Sequence, residues 1–172
     1  MLQKILSRMR KAIEDYQMIE DGDHVAVGVS GGKDSLILLT GLVALQRFLP
    51  VRFKVTAITL SLGFEGFDRA ALEAFYENLG VAWHIEDTKI GEVVFETRKE
   101  TNPCALCANM KRGTLHSTAK RLGCNKIAFG HHMDDAIETL MMSLIYEGRL
   151  HCFSPVTHLD RTDIVLIRPM IY

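Results

Sequence analysis

The feature that most constrains this chain is the stretch VAVGVSGGKDSLILL, residues 25–39. Small and β-branched residues run for one strand's length into two glycines, a lysine and an aspartate, and then into a leucine-rich segment that predicts a helix. A helix that starts at the carboxyl end of a strand presents backbone N–H groups with no partner inside the helix. Together with the positive end of the helix dipole, these make a seat for an anion, and phosphate is the usual guest. Two familiar phosphate loops do not fit. The P-loop needs a glycine five residues before Gly32, where Val27 stands, and a hydroxyl after Lys33, where Asp34 stands. The dinucleotide fingerprint fails because Ser30 occupies the place of its second glycine.

The same alternation of strand and helix continues. Residues 53–60, 81–86, 126–130 and 163–167 read as further strands, and 68–79, 91–98, 104–122 and 134–146 as helices, several of them stopped by glycine. Ahead of the first strand, Leu2, Ile5, Leu6, Met9, Ile13 and Tyr16 fall at helical spacing and form a stripe that needs a partner surface. The expected architecture is therefore α/β: a doubly wound, Rossmann-like parallel sheet of about five strands with helices on both faces. It divides into an N-terminal amphipathic helix over residues 1–22 and one domain over 23–172. The 172 residues suffice for a single core, and the 48% hydrophobic content is that of a globular chain. No apolar run reaches the roughly 18 residues of a membrane span and the N-terminus has no secretory pattern, so a cytoplasmic protein with no membrane partner is expected. The chain ends at RPMIY, just past a strand, where a complete α/β domain would more often finish with a helix.

Three groups of residues carry chemistry. In SGGKDS, Gly31 and Gly32 allow close backbone approach, Ser30 and Ser35 offer hydroxyl donors and Lys33 a positive charge, while Asp34 suits the helix dipole or a magnesium ion. In GHHMDD, residues 130–135, His131, His132, Asp134 and Asp135 gather at a second carboxyl edge, with helix capping the alternative for the two aspartates. Where strand order reverses in a doubly wound sheet, two such edges face one crevice. The third group is Cys104 and Cys107 in NPCALC; a lone C-x-x-C stays open among zinc, an iron–sulfur cluster, a redox pair and chance, since two sulfurs complete none of the usual four-ligand sites. Cys124 reads as a small buried apolar residue, and Cys152 has no assigned role. Twenty basic against 21 acidic residues exclude nucleic-acid coating by charge alone. One local excess exists. Positions 98, 99, 111, 112, 120, 121 and 126 are basic with only Glu100 among them, which is either a solvated helix face or a phosphate-contacting surface.

SGGKDS after a buried strand resembles the PP-loop of the N-type ATP pyrophosphatases, which cleave ATP between its α and β phosphates. Together with C-x-x-C followed by KRGTLHSTAKRLG, then GHHMDD and I-R-P, it makes the chain resemble the tRNA 2-thiocytidine synthetases and related PP-loop tRNA thiolases, from the first strand to Tyr172. That resemblance implies an adenine nucleotide alpha hydrolase-like fold and an enzyme that adenylates a tRNA pyrimidine carbonyl and then delivers sulfur. ATP and Mg²⁺ would lie across the two edges, with adenine near Val27 and Leu60, Gly130 and His131 beside the nucleotide, and Ser30, Gly31, Gly32, Lys33 and Ser35 on the pyrophosphate. Asp34 or Asp135 would place magnesium. Cys104 and Cys107 would carry sulfur or ligate a [4Fe-4S] cluster, whose third cysteine is expected beyond Pro169, past the end of this sequence. The basic segment would meet tRNA, the sulfur donor is undefined, and a homodimer is compatible. The alternatives are a PP-loop ligase of the lysidine or amide-forming type, with C-x-x-C holding zinc, and a non-catalytic adenine-nucleotide module.

Overall fold

The first strand, β1 (His24–Gly28), has no exposed residue, because both faces of the sheet are covered. The structure, a computed structural model, describes residues 2–64, 66–97, 103–159 and 163–172. Along the chain, α1 (Leu2–Asp15) precedes β1, and α2 (Lys33–Leu45), β2 (Lys54–Ser61), α3 (Arg69–Leu79) and β3 (Ala82–Asp87) follow it. A π-helical segment, Glu92–Thr97, leads toward α4 (Pro103–Arg121), β4 (Lys126–Ala128), α5 (Met133–Glu147), β5 (Val156–Leu159) and β6 (Ile164–Ile167).

The strands form one six-stranded sheet in the order β3-β2-β1-β4-β6-β5, parallel throughout except for β5, which runs antiparallel to β6. The sequence reading of about five parallel strands missed β5. VTHL is short, follows a proline and lies at the edge, where a strand is held through one side only. The reversal of strand order falls at β1, which pairs with β2 on one side and β4 on the other. At that point two successive carboxyl ends open on one crevice.

One face of the sheet is covered by α1, α2 and α3 through Met9, Ile13, Leu38, Leu42 and Tyr76, the other by α4 through Leu115 and Ala119. Leu38, Leu39 and Leu42 are wholly buried, each contributing about 1.5–3 kcal/mol by leaving water. The partner surface that the α1 stripe requires is α2. Helix α5 behaves differently. Its only buried residue is Ser143, and Ile137, Met141, Met142, Leu144, Ile145 and Tyr146 are exposed.

Lys126 departs from the reading of residues 98–126 as one basic surface. It opens β4 as a buried side chain, its Nζ 2.8 Å from Asp23 Oδ2 and donating to the Met18 carbonyl at 3.0 Å. Arg121 is paired with Glu86. Lys111, Arg112 and Lys120 remain exposed on α4, whereas Arg98 and Lys99 lie outside the described residues.

Candidate nucleotide site at the carboxyl edge

The loop from β1 to α2 is shaped by its own hydroxyls. Ser35 Oγ donates to the Gly32 carbonyl at 2.8 Å and lies 3.4 Å from Ser30 Oγ, while the Ser30 amide donates to Ser35 Oγ at 3.3 Å. The Gly32 amide reaches Ser30 Oγ at 3.4 Å. Gly31 turns the chain at φ 83°, a left-handed conformation that a side chain resists. Gly32 caps α2 without a side-chain hydrogen bond, so the capping position of the helix is taken up by backbone. Ser30 and Lys33 are exposed at this turn, Asp34 is half-buried, and Ser35 is buried beneath it. The arrangement is a rigid, cation-bearing cradle at a helix N-terminus, the chemistry that suits a polyphosphate.

Gly130 brings the second motif against the first. A Cβ on Gly130 would lie 3.1 Å from the Asp34 carbonyl carbon and 3.2 Å from its oxygen, so the backbone of the GHHMDD turn packs directly on the first turn of α2. The structure thereby joins the two predicted edges. The side chains that follow do not all face one way. His131 is held between the rings of Phe129, at 5.7 Å, and Phe153, at 5.1 Å. Burial, with the positive charge of Arg168 next in weight, lowers its pKa and keeps the ring neutral at pH 7. Its Nδ1 is buried with no hydrogen-bond partner among the described residues. Arg168, one residue past β6, stacks its guanidinium over Phe153 at 4.8 Å and donates to Thr157 Oγ1 and the Ser154 carbonyl, while its buried Nε has no partner among the described residues.

His132 and Asp134 line a different cleft, of about 260 Å³, with Arg8 and Met170 on the α1 side. Asp135 accepts the His132 amide at 2.7 Å, the capping role weighed for it from sequence, and so anchors the start of α5. Val27 and Leu60, the residues expected near the adenine, lie on opposite faces of the sheet. The Val27 side chain is fully buried toward α2, while Leu60 is among the residues under α4. The two do not share a pocket.

Cys104 is exposed on the first turn of α4, and Cys107 is buried with Ile90 and with Val94 of the π-helical segment. Among the described residues, no three histidine, cysteine or acidic side chains gather as a metal site. Two thiols alone do not fit a cluster. Cys124 is buried as expected, its thiol pushed up to about 11 by desolvation. Sequence reasoning used Arg168 only as part of a motif and missed its placement behind His131; the signal available was a lone arginine directly after an apolar strand.

A family model described as a PP-loop domain matches residues 1–172. Over 170 residues the chain is 39% identical to a tRNA-cytidine(32) 2-sulfurtransferase from Geobacter sulfurreducens, covering 98% of this chain and 66% of that protein. It is 42% identical over 173 residues to a protein of the same name from Syntrophotalea carbinolica, covering 100% and 67%. The chain thus spans about two thirds of the length of these curated relatives. In fold it is similar to the U34-tRNA thiolase NcsA from Methanococcus maripaludis with its [4Fe-4S] cluster, at TM-score 0.77 and 24% identity over 98% of this chain and 57% of that one. An NH3-dependent NAD synthetase from Campylobacter jejuni is more distant, at TM-score 0.57 and 16% identity over 100% of this chain and 68% of that one. No helix among the described residues is long and apolar enough to cross a membrane.

Proposed function

Since the chain belongs to the PP-loop family, we propose that it binds ATP in the SGGKDS cradle and activates a tRNA pyrimidine for thiolation. The observation that carries this reading is the loop itself. Its backbone and hydroxyls are bonded to one another, with Lys33 exposed at the helix start and Gly130 pressed against the same turn. In the first step the pyrimidine carbonyl oxygen attacks the α-phosphorus and the bond to the bridging oxygen breaks. Pyrophosphate leaves with the electron pair. Lys33, the Gly31 and Gly32 amides and the Ser30 hydroxyl stabilise the charge that develops on it. In the second step a sulfur nucleophile adds to the activated carbon, and AMP departs with the former carbonyl oxygen.

Asp34 and Asp135 offer carboxylate oxygens of the kind a hard cation takes, and magnesium held there would offset the charge of the phosphates. Cys104, being exposed, is open to a sulfur donor, whereas Cys107 is shielded. The exposed Lys111, Arg112 and Lys120 on α4 would meet RNA phosphates. The near-40% identity to tRNA-cytidine(32) 2-sulfurtransferases supports tRNA as the substrate and cytosine as its base.

The test is the product formed from α-labelled ATP with Mg²⁺ and a sulfide source, with and without tRNA from thiolation-deficient cells. AMP that depends on tRNA, with label-free pyrophosphate released, is expected. ADP, or AMP formed equally without tRNA, would overturn the reading.

A further inference from the structure

Two phenylalanines stand half out of the surface at the carboxyl edge of the sheet. Phe64 is 52% and Phe95 50% exposed, and their ring centroids lie 5.8 Å apart with planes tilted by 57°. We infer that this pair is a stacking platform for the target pyrimidine of the RNA substrate, an inference that rests on the tRNA reading above and gives its base a place on this chain.

Placement is the first argument. Phe64 comes three residues after the end of β2, the strand beside β1 on the side away from β4, so it belongs to the same edge as the SGGKDS loop. Phe95 sits in the π-helical segment, a geometry that recurs at functional sites. Its neighbour Val94 is wholly buried in one cluster with Cys107 and Ile90, with Leu62 packed against it. The platform therefore belongs to the carboxyl edge of the sheet and to a segment packed, through Val94, against the helix that carries the two thiols.

Construction is the second argument. The segment bearing Phe95 is tied to the end of β2 by the Thr88 amide on the Ser61 carbonyl at 2.9 Å and the Gly91 amide on the Leu62 carbonyl at 2.9 Å. A Cβ on Gly91 would lie 2.7 Å from the Leu62 oxygen and 2.8 Å from Phe64 Cε1, so the bare glycine is what lets the Phe64 ring lie over this junction. The rings are thus positioned by backbone and yet left partly in water, where each exposes an apolar face at no gain to the core. A flat base suits such faces. Aromatic–base stacking tolerates any base identity, and it holds a nucleotide that has been drawn out of its own stack. A pyrimidine stacked on the outer face of either ring would lie at the same edge of the sheet as the SGGKDS loop.

The test measures binding of an RNA hairpin with the anticodon-arm sequence, carrying either cytidine or an abasic site at position 32, the position in the relatives' name. On the unaltered chain the cytidine hairpin is expected to bind roughly five- to 150-fold tighter than the abasic one. In Phe64→Ala and Phe95→Ala that ratio should fall toward one, with ATP affinity and the unfolding midpoint unchanged. Phe64→Leu, which keeps apolar volume without a ring face, should behave like Phe64→Ala, and Phe64→Tyr like the original. A base-dependent ratio that survives both alanine variants would overturn the platform alone. Loss of ATP affinity in the variants would overturn it too, by assigning the rings to adenine. If the unaltered chain binds neither hairpin, the tRNA reading fails and the platform with it.

Discussion

The two edges of the sheet are finished in opposite ways. At the amino edge, Asp23 accepts the Glu20 amide, Asn125 Nδ2 and Lys126 Nζ, Asn125 Oδ1 accepts the His24 amide, and Lys126 also donates to Met18. These polar groups are matched to one another, as buried groups must be for a fold to hold. At the carboxyl edge the serines are bonded within their loop, but Lys33 reaches solvent, and His131 Nδ1 and Arg168 Nε are buried with no partner among the described residues. On the proposed reading, the unmatched groups of the carboxyl edge are ones that a bound ligand would satisfy, whereas those of the amino edge serve the fold.

Variants should separate the two edges. Asp23→Ala leaves Lys126 buried and unpaired and should lower unfolding free energy by about 3–5 kcal/mol in urea titration. A loss below about 1 kcal/mol would mean that the clamp does not hold the edge. Lys33→Ala should cut AMP release about 100- to 1,000-fold while moving stability by less than about 0.5 kcal/mol. Destabilisation comparable to that of Asp23→Ala would erase the distinction.

Acid should reach the edges in sequence. The His131 pKa is depressed, so its contribution is present above the unfolded value of 6.5 and declines as pH falls through the lower folded one; imidazole NMR should show its midpoint below 6.5. For Asp23, burial raises the carboxyl pKa, but the bonds from Glu20, Lys126 and Asn125 together outweigh it and hold the carboxyl below 3.8. Its contribution is therefore lost only in stronger acid, as pH falls through that depressed value. Asp23→Asn should flatten that limb of the stability profile. The smallest effect belongs away from both edges: Ile145→Ala, on the 66% exposed side chain of α5, should change stability by less than about 0.5 kcal/mol.

Much of this was legible in the chain because the signals are local. The SGGKDS turn, the α1 stripe and the helix stops at Gly80 and Gly148 each depend on neighbours within a few residues. What escaped depends on distant pairing. Val27 and Leu60 part to opposite faces because Val27 lies beside Ala57, and Leu60, an odd number of residues further on, points the other way. Nothing in either strand alone states that register. Lys126 reads as one more surface cation until Asp23 is brought beside it, and α5 reads as apolar without saying what its face meets. The 91–98 helix appeared as a π-helical segment over Glu92–Thr97, with Arg98 outside the described residues.

Gly130 lies against the Asp34 backbone with no side chain between them. Anyone transplanting this loop to another sheet would have to move two strand ends together, since a side chain in place of Gly130 would press on the Asp34 backbone, which would have to give by a few tenths of an ångström. The transferable unit is therefore a joint of two strand ends as well as a loop motif.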